Sequence, residues 1–424
     1  MVDQTEVTAT VQPLPTTGTP TPTFPVPATR LWMRVTADLL AWLSGAQEWA
    51  GWDNEEARIA PFAATVNGVA PWLHHALTGT PLATSLPGDF LDSLSRQHRA
   101  NRERVGRLQA DAARILAAAA RVGIPVLPLK GAAMLAGDHD PQPGLRPMAD
   151  LDLLVPPDGI PQIRRLMMDL GYTLRSSTWK HHTFLRPSNE QVVAYEEHPD
   201  NPRPVEIHHR TAETLWGLLC DLTARAWGRA RKGSFLGIEA LLLPPSELLL
   251  HIAVHATFNI LNHTARLIHL ADIRQLAQAL TAREEWGEVT PGWGRSLVRF
   301  AYPAIGLTAH SLPGSIPPPM LSALEAQVSP RLARWAAGFP FISLTRYGKA
   351  PRFFLALRYM PLLARSPLEA AAMLFHSTFP PRWYLAERYP DLARSRWLPL
   401  GYLRLGRDRV LQMWHEMGQR RPTL

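Results

Sequence analysis

Residues 149–155 read Ala-Asp-Leu-Asp-Leu-Leu-Val, an apolar run with two carboxylates, Asp150 and Asp152, one residue apart at its mouth. In an extended strand, alternate side chains share a face and stand about 6.6 Å apart, twice the ~3.3 Å rise. Leu151 and Leu153 then point to the opposite face, into a core. They fix the register, because a slip of one residue would turn both charges inward. Like charges set close together in a partly dry place repel and shift one another's ionisation. A divalent cation relieves that repulsion and keeps both groups ionised. The run therefore predicts a strand with an apolar inner face and a cation-holding outer one.

A pair of cations generally needs a third carboxylate. Glu206, in Arg203-Pro-Val-Glu-Ile-His-His209, is the candidate: Ile207 supplies a core-facing neighbour, and His208 shares the face of Glu206 while His209 does not. Upstream, Leu127-Pro-Leu-Lys-Gly131 predicts a strand that turns into a helix at Lys130 and Gly131. Such a turn offers backbone N–H groups to a phosphate, and a lysine adds a point charge. Arg146, four residues before Asp150, either clamps the same anion or screens Asp150. Lys130, Gly131, Arg146 and His208 thus form the candidate nucleotide-binding set. A second Asp-x-Asp, Asp138-His139-Asp140, lies between Gly137 and Pro141 with no apolar run to hold it, and turn chemistry accounts for it.

Around this segment the pattern changes character several times. Residues 1–28 are rich in Pro and Thr with little to bury, and a disordered tail is expected. Residues 29–123 carry helical spacing, including a long helix beginning near Phe90 and ending at Gly123. Residues 124–212 alternate: strands at Ile124–Leu129 and Asp150–Val155, a helix at Ile160–Leu170, then period-two segments at Tyr172–Arg175, His182–Arg186, Val192–Glu196 and Pro204–His208. This order predicts an α/β core with a mixed sheet, flanked by N-terminal and C-terminal helical regions. From Leu215 the signal is helical again through 213–290, clearest at Glu247–Leu261 and Ala265–Leu280, and 291–424 continues as Pro-broken helices.

The net charge is +8, and residues 351–424 hold 12 Arg against 5 Asp and Glu, a net +7. A basic stretch of this kind meets RNA, an anionic surface or an acidic partner, or is simply a solvated helical surface. Lysine is scarce, so Lys130 stands out. Cys220 is the single cysteine, which excludes an internal disulfide and fits a reducing compartment such as the cytoplasm. Residues 1–28 lack the basic and apolar regions of a signal peptide, and no stretch has the length and apolarity of a transmembrane segment. His251 and His255 have the i, i+4 spacing of metal ligands, but the Glu of the His-Glu-x-x-His motif is absent, and a place in the core or hydrogen bonding between helices accounts for them.

Taken together, Leu127–Val155, Gly171-Tyr172, Val205–Arg210 and the helical stretch 247–276, with His255 and Asp272 at matching places, resemble a largely uncharacterised group of bacterial nucleotidyltransferases in the DNA-polymerase-β-like superfamily. The resemblance covers about residues 110–280. It implies a nucleotidyltransferase core that moves a nucleoside monophosphate from NTP to an acceptor hydroxyl with Mg²⁺, two ions being expected. Asp150 and Asp152 would carry the metals, and Glu206 would bind one and help deprotonate the acceptor. The acceptor is open: a small molecule, a protein or RNA, with RNA contact through 351–424. One departure stands out. The wider superfamily has Gly-Ser or Gly-Gly where this chain has Lys130-Gly131. Two alternatives follow: a nucleotidyltransferase fold that binds or regulates without turnover, and a toxin-like member that modifies tRNA.

Overall fold

The computed structural model describes residues 28–135, 144–193, 198–215, 218–283, 285–348, 359, 361–393 and 399–418. The Pro/Thr-rich tail (all but its last residue), the Asp138-His139-Asp140 loop and Ala194–Glu196 of one expected strand lie outside the described residues. In chain order the first elements are helices α1 (Thr29–Leu43), α2 (Asn54–Val66), α3 (Ala70–Leu77) and α4 (Gly88–Arg121). Strand β1 (Leu127–Pro128), helix α5 (Lys130–Met134), β2 (Leu151–Leu154), α6 (Ile160–Asp169), β3 (Thr173–Ser177), β4 (His181–Leu185) and β5 (Val205–His208) follow. Then come β6 (Ala212–Leu215), β7 (Leu218–Asp221), α7 (Thr223–Arg229), β8 (Arg231–Phe235), β9 (Ile238–Leu242), α8 (Pro245–Leu261), α9 (Leu267–Ala282) and α10 (Val289–Ser311). The chain is therefore α/β, with one mixed sheet flanked by helical regions.

The sheet has five strands in the order β1-β2-β5-β4-β3. Only the β2–β5 pair is parallel; β1–β2, β5–β4 and β4–β3 are antiparallel. A parallel pair needs a long crossover, and here α6 with the β3–β4 hairpin supplies it. Alternation sets the two faces. Leu151, Leu153, Val205 and Ile207 are buried in one apolar cluster with Leu108, Ala112 and Ile115 of α4 and Ile163 and Met167 of α6. At about 1.5–3 kcal/mol per fully buried large aliphatic side chain, these four strand residues hold β2 and β5 in register against the helices. The opposite face of the same two strands carries Asp152, Glu206 and His208.

The chain divides into two compact units, Gln97–Thr211 with Ala230–Leu243 and Val26–Arg96 with Ala212–Arg229 and Pro244–Leu424. In the first, the β8–β9 hairpin adds Phe235 to the core of the sheet. In the second, α8 is buried almost all round, as a central helix must be if it is apolar on every side. Its Glu247 is held by both Arg225 nitrogens Nε and Nη2 at 2.6 Å. The helical reading from Leu215 onward is corrected here: two hairpins, β6–β7 and β8–β9, precede α8. Strands of four or five residues are too short for periodicity to separate from a turn of helix.

Candidate active site

Asp150 immediately precedes β2 and Asp152 is its second residue. Across the parallel pair, Asp152 stands opposite Glu206. Oxygens of Asp150, Asp152 and Glu206 all lie within 4.8 Å of one another. Asp152 is buried, and Asp150 and Glu206 are half-buried. Three carboxylates at this spacing repel unless cations meet them, and the protein supplies two cationic groups. Lys130 Nζ donates to Asp152 Oδ1 at 2.7 Å, and His208 Nε2 lies 2.8 Å from the same oxygen. The His208 nitrogen also lies 3.3 Å from Glu206 Oε2.

The ionisation of these groups follows from their surroundings. Burial pushes Asp150 up to about 7, and the charge of Asp152 adds to the rise; Lys130 and Arg146 offset it only in part. Burial works the same way on Asp152, but Lys130 and the His208 hydrogen bond outweigh it and hold this carboxyl well below the usual range. Glu206 is lowered too, its burial outweighed chiefly by the hydrogen bond from His208. His208 itself is raised: burial opposes its charge, yet hydrogen bonds to Asp152 and Glu206 favour it. Two neighbouring carboxylates thus sit on opposite sides of their ordinary value, Asp150 raised to about 7 and Asp152 held well below the usual range.

Lys130 reaches Asp152 because of an unusual backbone. It opens α5 with φ at 46°, in the left-handed region that non-glycine residues avoid. Such strain is of order 1–3 kcal/mol and persists only where the surroundings hold it; here Leu129 N–H donates to Asp152 O at 3.0 Å, tying the turn to β2. Helix α5 has five residues, so it sums few peptide dipoles. The positive charge of this corner therefore comes from the Lys130 and Arg146 side chains more than from the helix end foreseen in the strand-Lys-Gly pattern. At Gly131 a Cβ would sit 2.3 Å from Arg146 Nη1 and would push that guanidinium aside. Arg146 therefore lies directly over the Lys130-Gly131 turn, beside Asp150. All seven residues singled out in the sequence, Lys130, Gly131, Arg146, Asp150, Asp152, Glu206 and His208, are brought together in one place.

Three further residues escaped the sequence reading. His181, at the start of β4, pairs with His208 across the sheet and places Nε2 3.7 Å from Glu206 Oε1. Burial lowers its ionisation to about 4, so it is neutral near pH 7. With Glu206 and His208 it forms a second set of three ligand atoms within 4.8 Å, a mixed nitrogen and oxygen set that shares Glu206 with the all-oxygen one. Arg104, buried in α4, donates from Nε to Met148 O at 2.7 Å and from Nη2 to Ala149 O and Pro202 O, both at 2.7 Å. Its Nη1 donates to His198 O at 3.2 Å and Asn201 O at 3.0 Å. One guanidinium thereby fastens the segment entering β2 to the segment entering β5. Asn101, one turn earlier, donates to Gly144 O at 2.6 Å and Arg146 O at 3.2 Å. The only signal for Arg104 and Asn101 in the sequence was their place in the polar half of α4.

The other motifs resolve otherwise. His255 Nδ1 lies 2.8 Å from Glu213 Oε1 and its Nε2 3.0 Å from Asn259 Nδ2. Neither His251 nor His255 joins a group of three ligands among the described residues. Asp272 is buried in α9. Cys220 is buried and its thiol is pushed up to about 12 by that burial, which disqualifies it as a nucleophile. Among the described residues no helix is long and apolar enough to cross a membrane.

An all-oxygen set of three carboxylates suits a hard divalent cation. The donor set and the charge it concentrates fit such an ion, and the cationic residues alongside fit an anionic substrate. Comparison with curated proteins and with solved structures returned no match. The model of a family described as an uncharacterised nucleotidyltransferase matches residues 62–312, well over half of the chain and all of the site just described. With the mixed sheet and its acidic corner in the matched region, the chain belongs to this uncharacterised nucleotidyltransferase family.

Proposed function

We propose that this protein transfers a nucleoside monophosphate from an NTP to an acceptor hydroxyl, breaking the α–β phosphoanhydride bond and releasing pyrophosphate, with two Mg²⁺ ions held by Asp150, Asp152 and Glu206. The observation that carries the reading is the convergence of these three carboxylates within 4.8 Å beside Lys130 and Arg146. Bound divalent ions would neutralise the triphosphate and lower the pKa of the attacking hydroxyl. The chain's own residues do the rest. Lys130 and Arg146 meet the phosphates, Gly131 leaves room for the Arg146 guanidinium, and His208 keeps Asp152 and Glu206 ionised and aimed. Glu206, charged and half-buried, accepts the acceptor's proton. The single buried cysteine suits the cytoplasm. The test is incubation with each labelled NTP, Mg²⁺ and a cell extract, followed by separation of protein, RNA and small molecules. Label appears in one fraction with wild type and disappears with Glu206→Gln.

A second reading rests on one observation. Lys130-Gly131 stands where the wider superfamily places Gly-Ser or Gly-Gly, and the Lys130 ammonium already bonds Asp152 at 2.7 Å, as a cation would. On that reading the fold binds NTP without turning it over. NTP binding in a calorimeter with no transfer of label to any fraction would select it.

A further inference from the structure

One oxygen of the acidic corner carries two cationic side chains. Asp152 Oδ1 accepts from Lys130 Nζ at 2.7 Å and lies 2.8 Å from His208 Nε2. A carboxylate oxygen offers two lone pairs, and these contacts take both. A divalent ion arriving at Asp152 would meet the ammonium charge at close range, whichever oxygen it took. The two donors differ in their freedom to leave. His208 is fixed on β5 with 2% of its side chain exposed, whereas the Lys130 side chain is 18% exposed and ends a flexible four-carbon stem. The root of that stem is held: the Lys130 backbone sits at its φ of 46°, and the Leu129 N–H ties the turn to β2. The ammonium can therefore swing from a fixed root.

It stays on Asp152 until another anion receives it. Burial opposes its charge, but Asp152, Asp150 and Glu206 more than offset this and raise its ionisation above the ordinary value. Lys130 thus leaves as a cation. Arg146 lies against the neighbouring Gly131, in the space a Cβ would take, so phosphates drawn to that guanidinium come within reach of the lysine. The charge balance points the same way. Three carboxylates face the Lys130 and Arg146 side chains, and His208 adds to these when protonated. Little net negative charge is left to hold divalent ions by themselves, whereas a triphosphate brings roughly four negative charges at neutral pH. We propose that Lys130 is a latch on the acidic corner: it holds Asp152 against free divalent ions and passes to the phosphates when a nucleotide arrives, so that ions and nucleotide bind together. The inference rests on the transferase reading for its nucleotide and on the Lys130–Asp152 contact for its hold on the ions.

Titration calorimetry of the full chain with Mn²⁺ alone gives the first comparison. Lys130→Met removes the charge and keeps an unbranched side chain. Lys130→Gly also removes the left-handed strain, so it stays folded should the first variant not. Arg146→Met takes away a neighbouring charge and leaves the Lys130–Asp152 contact in place. Both Lys130 variants should bind Mn²⁺ about tenfold or more tighter than wild type, and Arg146→Met should change the affinity by less than about threefold. The second comparison uses α,β-methylene analogues of the common NTPs in saturating Mg²⁺. Here the Lys130 variants should bind about tenfold more weakly. One substitution thus moves ion and nucleotide affinity in opposite directions, which a purely structural lysine would not do. Mn²⁺ affinity unchanged or weaker in the folded Lys130 variants would overturn the latch, as would an equal gain in Arg146→Met. Undiminished nucleotide affinity in those Lys130 variants would overturn the hand-over to phosphate. Failure of every analogue to bind wild type would count against the transferase reading, and the Mn²⁺ comparison would still decide the latch.

Discussion

Asp152 and Glu206 are register partners on the one parallel strand pair of the sheet, so two carboxylates 54 positions apart in the chain face the same way on adjacent strands. Neighbouring strands lie about 4.8 Å apart, close enough for one cation to touch both. The pair is asymmetric in its support. Asp152 has Lys130 at 2.7 Å and His208 at 2.8 Å on a single oxygen, whereas Glu206 has the histidines at 3.3 and 3.7 Å.

Asp152 and Asp150 differ in the same way, Asp152 held low by Lys130 and His208 and Asp150 raised by burial and by Asp152, so opposite effects are predicted for two aspartates two residues apart. Asp152→Asn leaves the half-buried Lys130 ammonium short of its partner, and breaking a buried pair from one side costs up to about 3–5 kcal/mol. Asp150→Asn removes a charge that burial and Asp152 both oppose, so the metal-free protein should melt at the same temperature or higher. Thermal unfolding without divalent ions checks both, and equal losses in the two variants would refute the asymmetry. Both variants should lose Mn²⁺ or Mg²⁺ binding.

Cation affinity should depend on pH through Asp150, which is raised to about 7. Below that pH an ion must displace a proton, so affinity should fall by up to about tenfold per pH unit and level off above 7. The stability of the metal-free protein moves the other way. The folded value lies above the unfolded one near 4, so the fold binds an extra proton between them. The stabilisation from this group is complete below pH ~4 and is lost as pH rises through about 7. Mn²⁺ titrations from pH 5.5 to 8.5, roughly spanning that window, would show a flat affinity if Asp150 takes no part.

Gly131→Ala separates packing from binding. The added methyl meets the far end of the Arg146 side chain at 2.3 Å, which can swing aside. The stability loss should stay below about 1 kcal/mol, the ordinary range for a change that displaces only a flexible side chain. NTP affinity should drop by about threefold to tenfold if the Arg146 guanidinium binds phosphate. An unchanged NTP titration would remove Arg146 from the nucleotide site.

Arg104→Met tests how the acidic strands are positioned. It withdraws hydrogen bonds from five backbone carbonyls on two segments, and each carbonyl left buried costs about 1–3 kcal/mol unless water reaches it. Hydrogen exchange should quicken at 148–152 and 201–206, and cation affinity should fall further than in an equally destabilised Leu108→Ala control. Equal affinity losses in the two variants would leave Arg104 a structural residue only.

Local sequence determined a good deal of this protein. The alternation of Asp150, Leu151, Asp152 and Leu153 settles which face is wet and which is buried, because side chains in a strand alternate whatever the rest of the fold does. The same holds for Ile207 beside Glu206, for the turn at Lys130-Gly131, and for the long amphipathic α4. The β6–β7 and β8–β9 hairpins were not legible, since four or five residues are too few for alternation to be told from helical spacing, and β8, Arg-Lys-Gly-Ser-Phe, has almost no apolar pattern at all. Other features were decided only by the tertiary structure. That β2 pairs in parallel with β5, and so sets Glu206 against Asp152, depends on a crossover of some fifty residues. That β4 docks beside β5 brings in His181, and that α4 lies across the two segments entering β2 and β5 gives Arg104 its five carbonyls. Burial patterns record which side of an element faces inward; they carry no record of which neighbour it meets there. Charge compensation between Lys130, His208 and three carboxylates is a property of neighbours, and it exists only once the sheet has closed.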